Sequence, residues 1–231
     1  MNAAPVRDFG SAPAPSAAVG TAAFMRSVYN WMAIGLVLTG VVAGLVASNL
    51  PLFFTIIRNP VLFYGLRIGE FIMGAIFSRS VDKVGYGTLA AMYAVYCATS
   101  GITFSVFFVA FTHQSLAIAL YVTGGTFAAM SAYGTITRRD LSSWGSLLFM
   151  GLVGIVIAGV VNLFFRSDAF MMVVSAISVV VFVGLTAYDT QKIRQLAYTG
   201  DRRFALAGAL KLYLDFVNLF IALLRLFGRR R

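Results

Sequence analysis

The sequence predicts an all-α membrane protein built on seven transmembrane helices. Hydrophobic residues make up 60% of its 231 positions and charged residues only 11%, against roughly 45–50% apolar residues in soluble domains. The mean hydropathy is +0.87. The apolar residues gather into continuous runs at about 28–47, 61–77, 86–111, 115–133, 145–165, 169–188 and 205–227. Each run is close to the ~20 residues that cross about 30 Å of hydrocarbon as a helix. Strands of an outer-membrane barrel would alternate over about 10 residues, so closed helices are the reading that satisfies the backbone.

Residues 1–23 are rich in Ala, Pro, Ser and Gly, hold Pro5, Pro13 and Pro15, and lack an apolar run. They read as a disordered tail before a single membrane domain over 24–231. Their pattern is not that of a secretory signal, so the first span is expected to direct insertion. That span carries Trp31 near its boundary, an expected interfacial anchor, and Gly40 and Gly44 on one face. Gly65 and Gly69 repeat that spacing in the second span. Small residues four apart predict close helix packing. The second span also holds Glu70, with Arg67 one turn away as an available neutralising partner. The third holds Cys97, alone and therefore without an intrachain disulfide; an apolar packed thiol is expected. His113 falls in a tight turn before the fourth span and reads as a solvated loop residue. Trp144, ahead of the fifth, is a second expected anchor.

The net charge of +10 would suggest nucleic acid in a soluble protein, but the cations sit mainly in short loops. With the N-terminus cytoplasmic, that side receives Arg7, Arg26, Arg79, Lys83, Arg138, Arg139, Lys192, Arg194, Arg202 and Arg203. The other side's loops receive Arg58 and Arg166. This is the positive-inside pattern. Seven crossings then put Arg225 and Arg229 to Arg231 outside, where they are expected to meet lipid headgroups.

Three of the eight acids, Glu70, Asp189 and Asp215, lie in or at the ends of apolar runs. An ionised carboxylate at the bilayer centre costs about 2.5–3.5 kcal/mol on insertion scales, so such groups pair, protonate or line a wet cavity. In the last run Lys211, Asp215, Asn218 and Arg225 share one helical face, while the other faces are apolar. That composition places the last helix in the middle of the bundle. Lys211 and Asp215 are spaced to pair along the helix, and Asp189 has Lys192 and Arg194 nearby.

The run Thr186-Ala-Tyr-Asp-Thr-Gln-Lys-Ile193, with Leu212-Tyr-Leu-Asp-Phe-Val-Asn-Leu-Phe220 and Leu223-Leu-Arg-Leu-Phe-Gly228, resembles the C-terminal signature of the Bax inhibitor-1 family, its bacterial branch in particular. Gly101-Ile-Thr103 and Arg138-Arg-Asp-Leu141 extend the resemblance over about residues 24–231. It implies six helices around a central seventh, and a paired-aspartate centre, Asp189 and Asp215, that senses pH and gates a calcium leak. It also implies a latch arginine at Arg79 and a pore-lining acid at Glu70, to which the polar face of the last helix adds Asn218.

Two carboxylates forced together in a low-dielectric site cannot both ionise cheaply and titrate as a unit. Calcium suits carboxylate oxygens, but a tight cage needs about six or more ligands, so transient contacts at Glu70, Asp189 and Asp215 fit better. The expected protein is therefore a multi-pass protein of a bacterial inner membrane, in contact with lipids and passing calcium, with no cofactor, no nucleic acid and no catalytic residue. The alternative is a non-conducting regulator that binds another membrane protein, such as a protease. A proton-coupled transporter would show internal repeats. A retinal protein would carry its aspartate before Lys211, not after, and an intramembrane aspartyl protease would need Gly-x-Gly-Asp where Leu212-Tyr-Leu-Asp215 stands.

Overall fold

A computed structural model of the chain describes residues 17–230. In order these form α1 (Ala17–Ser48), α2 (Leu50–Arg58), α3 (Pro60–Ser80), α4 (Tyr86–Ala110), α5 (His113–Ile136), α6 (Ser142–Phe165), α7 (Asp168–Leu196), a 3-10 turn (Ala197–Thr199) and α8 (Arg203–Phe227). Seven of the helices, all but α2, are long and apolar enough to cross a membrane. No β-strand occurs among the described residues; one isolated bridge joins Phe111 to Arg230.

Local chemistry sets the helix ends. Asn49 and Asn59 each cap a helix, accepting from Leu52 N at 3.2 Å and Leu62 N at 3.1 Å, with proline in the first turn. Thr112 caps α5 and Ser167 caps α7. The nine-residue α2 has no counterpart in the sequence reading, because it is too short to span; it buries Phe53 and Ile56 and leaves Leu52 and Phe54 exposed. Most of the expected tail lies outside the described residues. Its last part, from Ala17, is helical and continues into α1, in keeping with the alanines at 17, 18, 22 and 23.

The most enclosed helix is α8, in which Leu206, Leu212, Tyr213, Leu219 and Leu224 have no exposure. It packs against α1, α4, α5 and α7, whereas α3 packs chiefly on α4, and α6 on α7. The wall around α8 is thus four helices with two flanking ones. In lipid such contacts are won by close packing, since the surrounding tails are as apolar as the side chains. Phe149, Met150, Val156, Ile157 and Phe164 of α6 accordingly face outwards.

One expectation needs correction. The glycine pairs at 40 and 44 and at 65 and 69 are not where helices meet, because a Cβ at any of the four would touch nothing within 4 Å. Close approach occurs at Gly35, under Tyr93 and Cys97, and at Gly101, where a Cβ would stand 2.8 Å from the Thr39 carbonyl oxygen. Trp31 is half-buried, level with the first turn of α4. Its indole donates to the Tyr86 hydroxyl at 2.9 Å and meets Tyr93 edge-on. Trp144 is 57% exposed on the first turn of α6.

The α3–α4, α5–α6 and α7–α8 connections all lie at the end where α1 begins, which gathers the loop cations and is termed the basic end below. The chain finishes at the opposite end. There Thr112 N donates to Arg229 O at 3.1 Å, Arg229 N donates to Ser115 Oγ at 2.9 Å, and Arg230 reaches Asp168 at 3.4 Å. The last helix therefore runs the full length of the bundle.

Candidate functional site

Asp189 and Asp215 come together. Asp189 lies on α7 and Asp215 at the middle of α8, 2% and 4% exposed, and their carboxyls are within hydrogen-bonding reach of each other. Glycines bring the three backbones close enough to seal them. A Cβ at Gly134 of α5 would collide with the Ala187 carbonyl oxygen, and one at Gly208 of α8 would stand 2.7 Å from Ile193 Cγ2. Those contacts fall two residues before Asp189 and four after it. Beside the pair, the Tyr29 hydroxyl meets Ser131 Oγ, which lies 3.0 Å from Thr190 Oγ1, a polar chain linking α1, α5 and α7.

The cation at the pair is Lys211. Its Nζ sits 2.7 Å from Asp189 Oδ1, and its side chain is 51% exposed, over the Tyr188 ring. Of the pairings open in the sequence, neither Lys211 with Asp215 along the helix nor Asp189 with Lys192 or Arg194 forms among the described residues. Lys211 instead bridges α8 to α7. Despite the ion pair, Asp189 Oδ1 and Asp215 Oδ2 accept no aligned hydrogen bond among the described residues. Buried oxygens without partners are uncommon in folded proteins; Asp189 Oδ1 has the Lys211 ammonium beside it, and a proton shared by the pair would satisfy Asp215 Oδ2.

Glu70 is buried on α3 and held from two sides. Thr103 Oγ1 donates to its Oε1 at 2.7 Å, and Arg67 Nη1 stands 3.5 Å from its Oε2, the pairing expected from the sequence. Arg79, the expected latch, is exposed on the last turn of α3 and makes no ion pair among the described residues. Asn218 lies one turn beyond Asp215, where its amide donates to Leu214 O at 2.8 Å. His113 is exposed on the first turn of α5, and Cys97 is a buried free thiol.

Two cavities open along the polar face of α8, neither of them lined by Asp189 or Asp215 themselves. Because α3 leans on α4, a cleft of about 770 Å³ separates it from α7 and α8, lined by Glu70, Tyr96, Lys192 and Lys211 among others and reaching Asp82 at the basic end. On the far side a cavity of about 160 Å³ lies between α6, α7 and α8, lined by Ser175, Ser178, Asn218 and Arg225. Lys211 and Asn218 border the two, and Asp215 falls between them. Seven residues of helix, about 10 Å, separate Lys211 from Asn218. No group of three or more His, Cys, Asp or Glu able to hold a metal occurs among the described residues.

The pairing of Lys211 with Asp189, the contact of Thr103 with Glu70 and the two cavities are not legible in the sequence. Thr103 stands in a quoted motif, Gly101-Ile-Thr103, but its contact with Glu70 depends on how α3 crosses α4.

Residues 21–231 match the family model described as "Inhibitor of apoptosis-promoting Bax1". Inner membrane protein YbhL of Escherichia coli is 42% identical over 219 residues, covering 92% of this chain and 94% of that protein. An uncharacterized protein of Borreliella burgdorferi is 39% identical over 214 residues, covering 90% and 92%. An uncharacterized membrane protein of Streptococcus pyogenes is 36% identical over 220 residues, covering 91% and 94%.

Proposed function

Since this chain belongs to the Bax inhibitor-1 family, we propose that it is a bacterial inner-membrane calcium leak in which the Asp189 and Asp215 carboxyl pair is a proton-sensitive barrier. The observation that carries this reading is the pair's position between two cavities on one polar helix face. The cleft leads from Asp82 at the basic end to Lys211, which is paired with Asp189, and to Glu70; past Asp215 stand Asn218, Ser178 and Ser175. Few carboxylates line this route, so calcium would be held weakly and briefly, as permeation requires. The Escherichia coli relative's printed description as an inner membrane protein supports the location.

In the closed state Lys211 ties α8 to α7 through Asp189. Protonation of Asp189 discharges that ion pair and frees Lys211 to swing into the cleft, where its side chain is already half exposed. Acid then opens the route. Lys211 takes the latch role that the resemblance implied for Arg79.

The alternative is a regulator that acts on another membrane protein without conducting. Purified protein in otherwise protein-free liposomes, loaded with a calcium dye, separates the two. Calcium entry above that of empty liposomes is expected. Absence of entry at every pH, with crosslinks to a second membrane protein in cells, would overturn the leak and favour the regulator.

A further inference from the structure

The Arg138-Arg139-Asp140-Leu141 turn takes no part in the cleft or the carboxyl pair, yet it is built with care. Gln191 of α7 accepts from Leu141 N and donates to Arg139 O, each at 2.9 Å. Arg194 Nη1 donates to the Thr135 carbonyl at 2.7 Å, and Asp140 Oδ1 accepts from Ser142 N at 2.9 Å. The turn is thereby fastened to α7, leaving a polar depression of about 340 Å³ lined by Arg138, Arg139, Asp140, Gln191, Arg194 and Tyr198.

Its charge is unbalanced. Three guanidinium groups line it against one carboxylate, and Lys192 adds a further positive charge near Asp140. Arg138 and Arg139 have no carboxylate partner among the described residues. Like-charged groups held together by a braced turn call for an anion. Guanidinium groups match phosphate geometry with paired donors, which a lysine cluster would not. Depth in the bilayer narrows the source. Trp144 and Tyr198 are 57% and 77% exposed at the same end, the aromatic signature of the headgroup layer.

We propose that this depression binds the phosphate of an anionic phospholipid headgroup, with Arg138 and Arg139 as the principal donors. A free phosphate offers the same chemistry, and basic pockets of this kind on the cytoplasmic side suit lipid headgroups.

The test is native mass spectrometry of the detergent-solubilised full chain with added phosphatidylglycerol or phosphatidylcholine. Wild type is expected to retain phosphatidylglycerol in preference to phosphatidylcholine. Arg138→Gln/Arg139→Gln is expected to weaken that retention about thirtyfold, the effect of two charges at the magnitude typical of basic headgroup contacts. Arg58→Gln/Arg166→Gln, which removes the same charge at the opposite end, is expected to keep it. Arg138→Lys/Arg139→Lys should retain an intermediate amount, which guards against a mere folding defect. Displacement by excess inorganic phosphate would assign the site to a free phosphate ligand, and resistance to it supports the lipid. Equal loss in the two glutamine variants, or no lipid preference in wild type, overturns the proposal.

Discussion

Replacing Lys211 with methionine keeps the aliphatic stem and removes the ammonium group 2.7 Å from Asp189 Oδ1. At that separation and an effective dielectric near 20, two unit charges attract by about 6 kcal/mol. The lysine side chain is 51% exposed while the aspartate side chain is 3% exposed, so water screens part of this, and desolvation of the carboxylate offsets more. A net coupling of about 1.5–3 kcal/mol remains, below the ~3–5 kcal/mol of a fully buried pair broken on one side. A double-mutant cycle of Lys211→Met and Asp189→Asn, read by equilibrium unfolding in mixed micelles, isolates it. Each single variant is expected to be less stable than wild type, and the double variant more stable than the sum of the two losses allows. Hydrogen bonds between membrane helices average only about 0.6 kcal/mol in such cycles, so a coupling at or below that level would refute the ion pair as the tie between α7 and α8.

Other consequences lie elsewhere in the bundle. Thr103→Val should cost about 1–3 kcal/mol in the same unfolding assay, because it leaves a buried oxygen of Glu70 without its donor; an unchanged midpoint would contradict that bond. Gly134→Val should destabilise by about 1–3 kcal/mol or more, since its Cβ would press on the Ala187 carbonyl, whereas Gly65→Val, facing open space, should be nearly neutral. The Asp201 carboxyl, bonded to the Arg203 side chain and backbone N–H, is held below the usual carboxylate range. Its contribution to stability is therefore full above its unfolded value and lost as pH falls through the lower folded one. Asp201→Asn should flatten the acid side of the stability profile, and an unaltered profile would count against the bond.

The spans were legible because length and apolarity alone decide which segments cross a bilayer, and composition marked α8 as the inner helix. The nine-residue α2 was not, being too short to register as a span. Glycine spacing misled, since small residues four apart permit close approach without saying which face meets a neighbour. On α1 the contact falls at Gly35, and Gly40 and Gly44 face space. The site divides in the same way. Asp189 and Asp215 stood out as costly charges with recognisable flanking residues, and Arg67 beside Glu70 followed from helical spacing. The choice of Asp189 over Asp215 as partner of Lys211 depends on how α7 and α8 cross at Gly208, and the cleft depends on α3 leaning away, neither of which a one-dimensional pattern carries.

Calcium flux into proteoliposomes across a pH series, for wild type and for the Asp189→Asn/Asp215→Asn double variant, tests the carboxyl pair as a proton-sensitive barrier most directly. Wild-type flux should rise as the medium is acidified, and the double variant, with no carboxyl to protonate at the barrier, should lose that response. Lys211→Met, lacking the tie, should already leak at neutral pH. Equal pH responses in wild type and the double variant would contradict the account.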